Sequence, residues 1–224
     1  MNIDFNRYRH IIWDWNGTLL DDKWLCISSI NKLLINRNLS PLDEPKYDRI
    51  FRFPVRDYYK DAGFDFSVEP FEVPALEFIR LYDERKKECR LQPGALNILK
   101  QFESLGFKQY LLSASETGVL LEMTAHFGIA GYFSRIKGLD NHYANGKGDL
   151  GLELLEEIAA EPGSAVMIGD TCHDQEVAEL MGIEAILCTH GHFSEERLIK
   201  CGGAIVSGLP ELEKKLSGVQ PLHR

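Results

Sequence analysis

The sequence is short of cysteine, short of positive charge and without a long apolar run. Its five cysteines (Cys26, Cys89, Cys172, Cys188, Cys201) are odd in number and show no C-x-x-C pairing. That pattern speaks against a disulfide framework and against a zinc site, and fits buried thiols in a reducing cytosol. Lysine and arginine total 25 against 34 aspartates and glutamates, a formal net charge of −9. A sequence-independent binder of nucleic acid or of an anionic membrane needs a cationic face, so neither partner is expected. A small anionic substrate stays open, because a metal ion and a few local cations suffice to hold one. The opening residues, MNIDFNRYRH, lack the apolar run of a secretory signal, and no stretch approaches a membrane span. A cytoplasmic protein is the expectation, a monomer or dimer. Repeats and low-complexity segments are also missing.

What is present is the text of an ordinary globular protein. At 224 residues, 44% hydrophobic, the chain can build one substantial core, with or without a small inserted domain. Five short apolar runs read as buried strands: 9–14, 108–113, 165–169, 184–188 and 203–206. Between them lies helical text. In 93–106, Ala95, Ile98, Leu99 and Phe102 recur at helical spacing, opened by Pro93 and stopped by Gly106. Residues 115–128, 150–160 and 174–182 behave likewise. Strands alternating with helices predict an α/β fold, a Rossmann-like parallel sheet covered on both faces. Residues 20–91 break the alternation. Here 21–37 and 75–90 read as helices around an aromatic and arginine-rich stretch at 49–66, too long for a loop. The expected organisation is a core of 1–19 and 92–224 with an all-helical cap of 20–91, hinged near 19–22 and 90–94.

Ligands of parallel sheets sit beyond the carboxyl ends of the strands. Four stations occur there in order: Asp14 with Asn16, Gly17 and Thr18; then Ser113 with Ala114; then Lys147 in the turn NGKGD; then Asp170 and Asp174 in GDTCHD. A strand-end carboxylate can attack phosphorus and form an acyl phosphate. A second carboxylate from a neighbouring strand can share a Mg²⁺ with it. Ser113 and Lys147 would hold phosphate oxygens, and Gly17 permits close backbone approach. The plain alternative is that Asp14, Asp170 and Asp174 only cap turns and helices.

With those residues in place, the chain resembles the haloacid dehalogenase superfamily, in particular its phosphoglycolate-phosphatase-like subgroup with a helical cap. The matching text is WDWNGTLLDD, YLLSAS, LQPGALNILK, NGKGD and VMIGDTCHDQEVAELMGI, together with the tail from CTHGHF onward. The resemblance implies a Mg²⁺-dependent phosphatase acting on a small phosphorylated metabolite through an aspartyl-phosphate. By position, Asp14 resembles the nucleophile, Ser113 and Lys147 the phosphate holders, and Asp170 the metal ligand. Asp174 resembles a partner of the metal shell, and the Asn16 backbone carbonyl a further ligand.

Asn16 departs from the family pattern, which has Asp there as general acid and base. An amide has no useful pKa for that work, and losing such a group typically costs about 10²–10⁴-fold in rate. Several readings follow. The enzyme acts on good leaving groups such as acyl phosphates; or a cap residue, His173 or ordered water supplies the proton; or the protein is a slow or inactive phosphate binder. An Asp→Asn substitution made to trap a complex would read the same. Carbon–halogen hydrolysis also uses an Asp nucleophile, but it leaves Asp170 and Asp174 without a task. Arg52 and Arg56 are candidates for a substrate carboxylate, with solvated surface arginines as the alternative. His190 and His192 have metal-like spacing without a third ligand nearby. The 83–88 charge run is expected on a solvated helix face, Trp13 in the core, and Trp15 at the site entrance.

Overall fold

The computed structural model describes residues 3–139, 146–161 and 163–222. In chain order, β1 (His10–Trp13) and β2 (Leu20–Asp21) precede α1 (Lys23–Asn36), α2 (Glu44–Ile50), α3 (Val55–Ala62) and α4 (Glu72–Arg85). The chain continues through β3 (Arg90–Leu91), α5 (Ala95–Ser104), β4 (Lys108–Glu116), α6 (Thr117–His126) and β5 (Arg135–Leu139). It ends with α7 (Lys147–Ile158), β6 (Ala165–Gly169), α8 (Cys172–Leu180), β7 (Glu184–Cys188), α9 (Glu195–Cys201), β8 (Ala204–Val206) and α10 (Leu209–Lys215). Two compact units result: Met1–Leu20 with Leu91–Arg224, and Asp21–Arg90.

In the first unit six strands form one sheet in the order β5-β4-β1-β6-β7-β8, every neighbouring pair parallel. Helices cover it, as the alternation of strand and helix text requires. β1 is central, so both of its faces need apolar side chains; Ile11, Ile12 and Trp13 are fully buried. Each buried aliphatic side chain of this kind contributes about 1.5–3 kcal/mol. The Trp13 indole N–H is satisfied by Gln109 Oε1 at 3.0 Å, and Gln109 in turn donates to the Leu99 carbonyl. From β1 the sheet grows to β4 on one side and to β6 on the other. That reversal of direction creates a crevice at the carboxyl ends of β1, β4 and β6.

Two expectations about the sheet need correction. β5 is a sixth strand, unread in the sequence because Arg135 and Lys137 break its apolar pattern. It lies at the sheet edge, where such residues are tolerated, and Lys137 pairs there with Glu157. β4 runs to Glu116 with a register shift against β5 between Leu112 and Glu116, so Ser113 lies within the strand, not after it.

The second unit is helical apart from the strand residues at its two ends. Ile30, Leu33 and Leu34 of α1 meet Tyr47, Tyr58, Tyr59 and Phe64 in its core. Aromatic packing explains the sequence of 49–66: Tyr47 stacks on Phe51 and meets Tyr58 edge-on. Arg37 fastens the unit through Glu69 at 2.6 Å and Glu77 at 2.9 Å. Within the 83–88 charge run Lys86 is buried and bonded to Asp83, so that run is not solvated throughout. Trp15 also departs from expectation: it is buried, its ring beside Phe127. Among the described residues no helix is long and apolar enough to cross a membrane.

Candidate active site

β1 delivers Asp14 to the crevice. Its backbone N–H donates to the Ile168 carbonyl at 2.9 Å, continuing the β1–β6 pairing by one residue. The chain then turns sharply: Gly17 N–H donates to the Leu20 carbonyl, while Leu19 and Leu20 both donate to the Trp15 carbonyl. Gly17 makes this turn at a φ of +76°, a conformation that costs other residues strain. Space decides it too. A Cβ on Gly17 would lie 2.3 Å from Asp170 Oδ2, and one on Gly191 would lie 2.1 Å from the same atom. The backbone therefore closes around the Asp170 carboxylate from two sides.

β6 delivers Asp170, and α8 begins at once. Thr171 caps that helix, its hydroxyl donating to Asp174 Oδ2 at 2.7 Å, and the Asp174 carboxylate accepts the Thr171 N–H at 2.9 Å and the Asp170 N–H at 3.1 Å. One oxygen of Asp174 thus serves the helix start. The other, Oδ1, accepts from Lys147 Nζ at 2.6 Å. Lys147 is the first residue of α7 and is also bonded to Asp14 Oδ1. The Thr18 hydroxyl completes the ring, 3.1 Å from Asp14 Oδ2 and 2.7 Å from Asp170 Oδ1. The His192 backbone N–H donates to Asp170 Oδ2 at 2.7 Å.

Three carboxylates and one ammonium are buried together, which sets their proton affinities. Burial pushes Asp170 up to about 8, with Asp14 and Asp174 adding repulsion against the opposing influence of His192. Burial also raises Asp14, to about 6, although the Lys147 charge works against it. Asp174 falls below the usual carboxylate range: burial alone would raise it, but Lys147 and the Thr171 donors outweigh that. Burial would lower Lys147, yet Asp14 and Asp174 hold it above the usual lysine value. The Thr18 hydroxyl has one hydrogen to share between Asp14 Oδ2 and Asp170 Oδ1.

The ligand oxygens of Asp14, Asp170 and Asp174 lie within 4.8 Å of one another. All-oxygen donors with an excess of negative charge suit a hard divalent cation such as Mg²⁺. The donor set fits that ion. Asp174, with both oxygens already bonded, is better placed to hold Lys147 and the helix start than to bind directly.

β4 adds Ser113 and Ser115 on one side of the strand, two residues apart. Ser113 is buried and its Oγ accepts the Ser115 N–H at 3.1 Å; Ala114 is exposed. The Ser115 hydroxyl donates to Asn16 Oδ1 at 2.7 Å. The side chain that replaces the expected acid is therefore held by its carbonyl end.

The structure brings Asp14, Thr18, Lys147, Asp170 and Asp174 into one bonded network, with Asn16 joined to Ser115. Asn145, part of the NGKGD turn, lies outside the described residues. Arg52 and Arg56 belong to the second unit, where Arg52 pairs with Asp61 at 2.8 Å and Arg56 lies over the Phe66 ring. His173 is on α8 beside Glu176, 3.3 Å away. Two contributors, Ser115 and Gln92, carry no role in the sequence reading, and His190 and His192, noted there only for metal-like spacing, instead meet the Thr18 carbonyl and the Asp170 carboxylate. Ser115 had a signal in the period-two S-A-S of β4. Gln92 donates from Nε2 to the Gly17 carbonyl at 3.1 Å, and His190 Nε2 lies 3.1 Å from the Thr18 carbonyl.

The five cysteines are not all thiols. Cys172, on the first turn of α8, is joined by a disulfide to Cys201 at the end of α9, with Cα atoms 5.5 Å apart; Cys26, Cys89 and Cys188 are free. A separation of 29 residues and an odd total conceal such a pairing in the sequence.

Comparison with known proteins agrees with this geometry. The haloacid dehalogenase-like hydrolase profile matches residues 11–188. A phosphoglycolate phosphatase of Caulobacter vibrioides is 27% identical over 88% of this chain and 85% of its own. One from Synechococcus elongatus is 22% identical over 84% and 87%. Among solved structures, a predicted phosphatase from Clostridium acetobutylicum superposes with a TM-score of 0.81 at 23% identity, covering 94% of this chain and 98% of its own. A haloacid dehalogenase-like family hydrolase from Streptococcus pneumoniae gives 0.79 at 19%, over 93% and 98%. Sheet order, strand-end acids and sequence profile coincide: the chain belongs to the haloacid dehalogenase-like hydrolases.

Proposed function

We propose that the protein is a Mg²⁺-dependent phosphatase that hydrolyses a small phosphorylated metabolite through an aspartyl-phosphate on Asp14. The observation that carries this reading is the buried ring of Asp14, Thr18, Asp170, Asp174 and Lys147 at the sheet's switch point. The phosphoglycolate phosphatases among its relatives support the same chemistry. Asp14 and Asp170, with the Asn16 backbone carbonyl, would hold the Mg²⁺, and Asp174 would complete its surroundings. When bound, the ion neutralises charge between the attacking carboxylate and a phosphate.

This chain's residues divide the remaining work. Asp14 attacks phosphorus, and the leaving oxygen departs with the bonding electrons. Lys147 and Ser113 hold non-bridging oxygens, with Gly17, Thr18 and Ala114 offering the close backbone approach. Asn16 neither gives nor takes a proton. Its carbonyl oxygen accepts from Ser115, and an amide NH₂ can only donate hydrogen bonds, never a proton. A leaving group that departs as a stable anion needs no more than that, which favours acyl phosphates and similar substrates over alkyl phosphates. Water then attacks the phosphorus of the aspartyl-phosphate, the Asp14 carboxylate leaves, and the water's proton passes to the phosphate product. The helical unit is read as a substrate-selecting cap, with Arg52 and Arg56 as its cationic candidates.

The test is turnover of acetyl phosphate, p-nitrophenyl phosphate and 2-phosphoglycolate with Mg²⁺, beside Asn16→Asp. Acetyl phosphate is expected to turn over fastest in the wild type. Asn16→Asp should raise alkyl-phosphate turnover by about 10²–10⁴-fold. Unchanged alkyl-phosphate rates would show that Asn16 is not a missing acid. If no substrate turns over and no phosphoryl group appears on Asp14 by mass spectrometry, the alternative of a phosphate-binding, regulatory protein takes its place. Asn16 is the residue that keeps that alternative in view.

A further inference from the structure

Two consecutive carbonyls of the nucleophile turn are held by side chains for which the chemistry above has no use. Gln92 is buried and reaches the turn twice. Its Nε2 donates to the Gly17 carbonyl at 3.1 Å, and its backbone N–H donates to the Leu19 carbonyl at 2.8 Å. Its own backbone is constrained, since Pro93 follows and disfavours the helical region for the preceding residue. His190 approaches the neighbouring peptide, with Nε2 3.1 Å from the Thr18 carbonyl. A carbonyl only accepts, so this ring carries its proton on Nε2 in that contact.

Peptide planarity turns these anchors into a statement about direction. In a trans peptide the carbonyl of Gly17 and the N–H of Thr18 point opposite ways. Holding the Gly17 oxygen on Gln92 therefore aims the Thr18 N–H away from Gln92. Thr18 is fully buried, and among the described residues its N–H meets no acceptor. Yet the Thr18 hydroxyl touches both Asp14 and Asp170. A buried donor without a partner is costly, and successive turn N–H groups are a recurring way to bind anions.

We infer that Gln92 and His190 are positioning residues of the nucleophile turn, fixing the peptides on either side of Thr18 so that its N–H donates to an anion bound beside Asp14. The identity of that anion as a phosphoryl group rests on the proposed phosphatase reading; the positioning itself does not.

Three variants test it. Gln92→Met keeps length and loses the side-chain donor. His190→Phe keeps a ring and loses the donor. His190→Gln restores an N–H near the place of Nε2. With acetyl phosphate and Mg²⁺, Gln92→Met and His190→Phe should each lower kcat by about tenfold or more, as small misplacements do. KM should stay within about twofold, the mark of an interaction made in the transition state, and His190→Gln should recover most of the rate. A merely structural role would instead lower melting temperature, Mg²⁺ affinity and kcat together, with His190→Gln no better than His190→Phe; that result overturns the inference. The second measurement needs no turnover. Orthophosphate with Mg²⁺ should shift the Thr18 amide resonance in the wild type and do so far less in Gln92→Met. If the wild type turns over no phosphate but its Thr18 amide responds in this Gln92-dependent way, the phosphatase reading fails and the positioning inference holds. If the wild-type Thr18 amide does not respond, or responds equally in Gln92→Met, the inference falls.

Discussion

Replacing Lys147 with methionine keeps the length and apolar stem of the side chain and removes its ammonium. The side chain is 3% exposed and is bonded to Asp14 and Asp174. Breaking a buried pair by removing one partner typically costs about 3–5 kcal/mol, because the remaining charge is uncompensated. Here two carboxylates lose the same cation with Asp170 close by, so the upper part of that range, about 4–5 kcal/mol, is expected at pH 8 in EDTA. The pH dependence follows from linkage. Lys147 is held above the usual lysine value, so its contribution is complete below the unfolded pKa of about 10.4 and is lost only as pH rises through the higher folded value. On the acid side the contribution needs ionised partners. Asp14, raised to about 6 chiefly by burial, becomes neutral first, so about half of its share is lost at that pH and the rest below it. Asp174 is held below the usual range, so its share persists until pH falls below the ordinary carboxylate region. Urea unfolding of both proteins in EDTA from pH 5 to 9 should therefore show a gap that is widest at alkaline pH and narrows toward pH 6. A penalty below about 1 kcal/mol at pH 8 is too small for a buried pair and would contradict the Lys147 ion pairs, as would a gap that widens on acidification.

Gly17→Ala should abolish Mg²⁺-dependent turnover, since the left-handed backbone costs about 1–2 kcal/mol and the new Cβ meets Asp170; a variant with wild-type Mg²⁺ affinity and rate contradicts this. Thr18→Val removes the hydroxyl between Asp14 and Asp170 and should weaken Mg²⁺ binding by about 10–100-fold in calorimetric titration; unchanged affinity would show the hydroxyl idle. Reducing the Cys172–Cys201 disulfide opens a loop of 29 residues' separation and should cost about 3.5 kcal/mol. In scanning calorimetry that is a fall in Tm on the order of 10 °C, absent from Cys201→Ser; equal Tm values with and without reductant would rule it out.

Much of the fold is legible in the sequence where one side-chain property repeats. β1, β6 and β7 lie inside the sheet and β8, though at an edge, is wholly apolar, so hydrophobicity alone marks them. β5 is not, because an edge strand can carry Arg135 and Lys137, and its polar text resembles a loop. The site divides in the same way. Asp14, Lys147, Asp170 and Asp174 follow strands or open helices and belong to residue types with obvious chemistry. Gln92 and His190 act on main-chain carbonyls, His192 acts through its own main-chain N–H, and none of these roles leaves a trace in residue type. Ser115 carried a weak trace in its spacing from Ser113.

The α/β class, the inserted helical segment and the order of acids along strand ends are written in the amino-acid sequence. These follow from periodicity and from turn residues, which act over a few positions. Folding in three dimensions is what lets Asp14 and Asp170 share a threonine hydroxyl, one lysine neutralise two acids, and Ser115 hold Asn16. It alone joined Cys172 to Cys201. Apart from the Thr18–Asp14 contact, such pairings link residues from 27 to 152 positions apart. They depend on strand order and on glycines that let backbones close around a carboxylate, and no local pattern encodes distance in space.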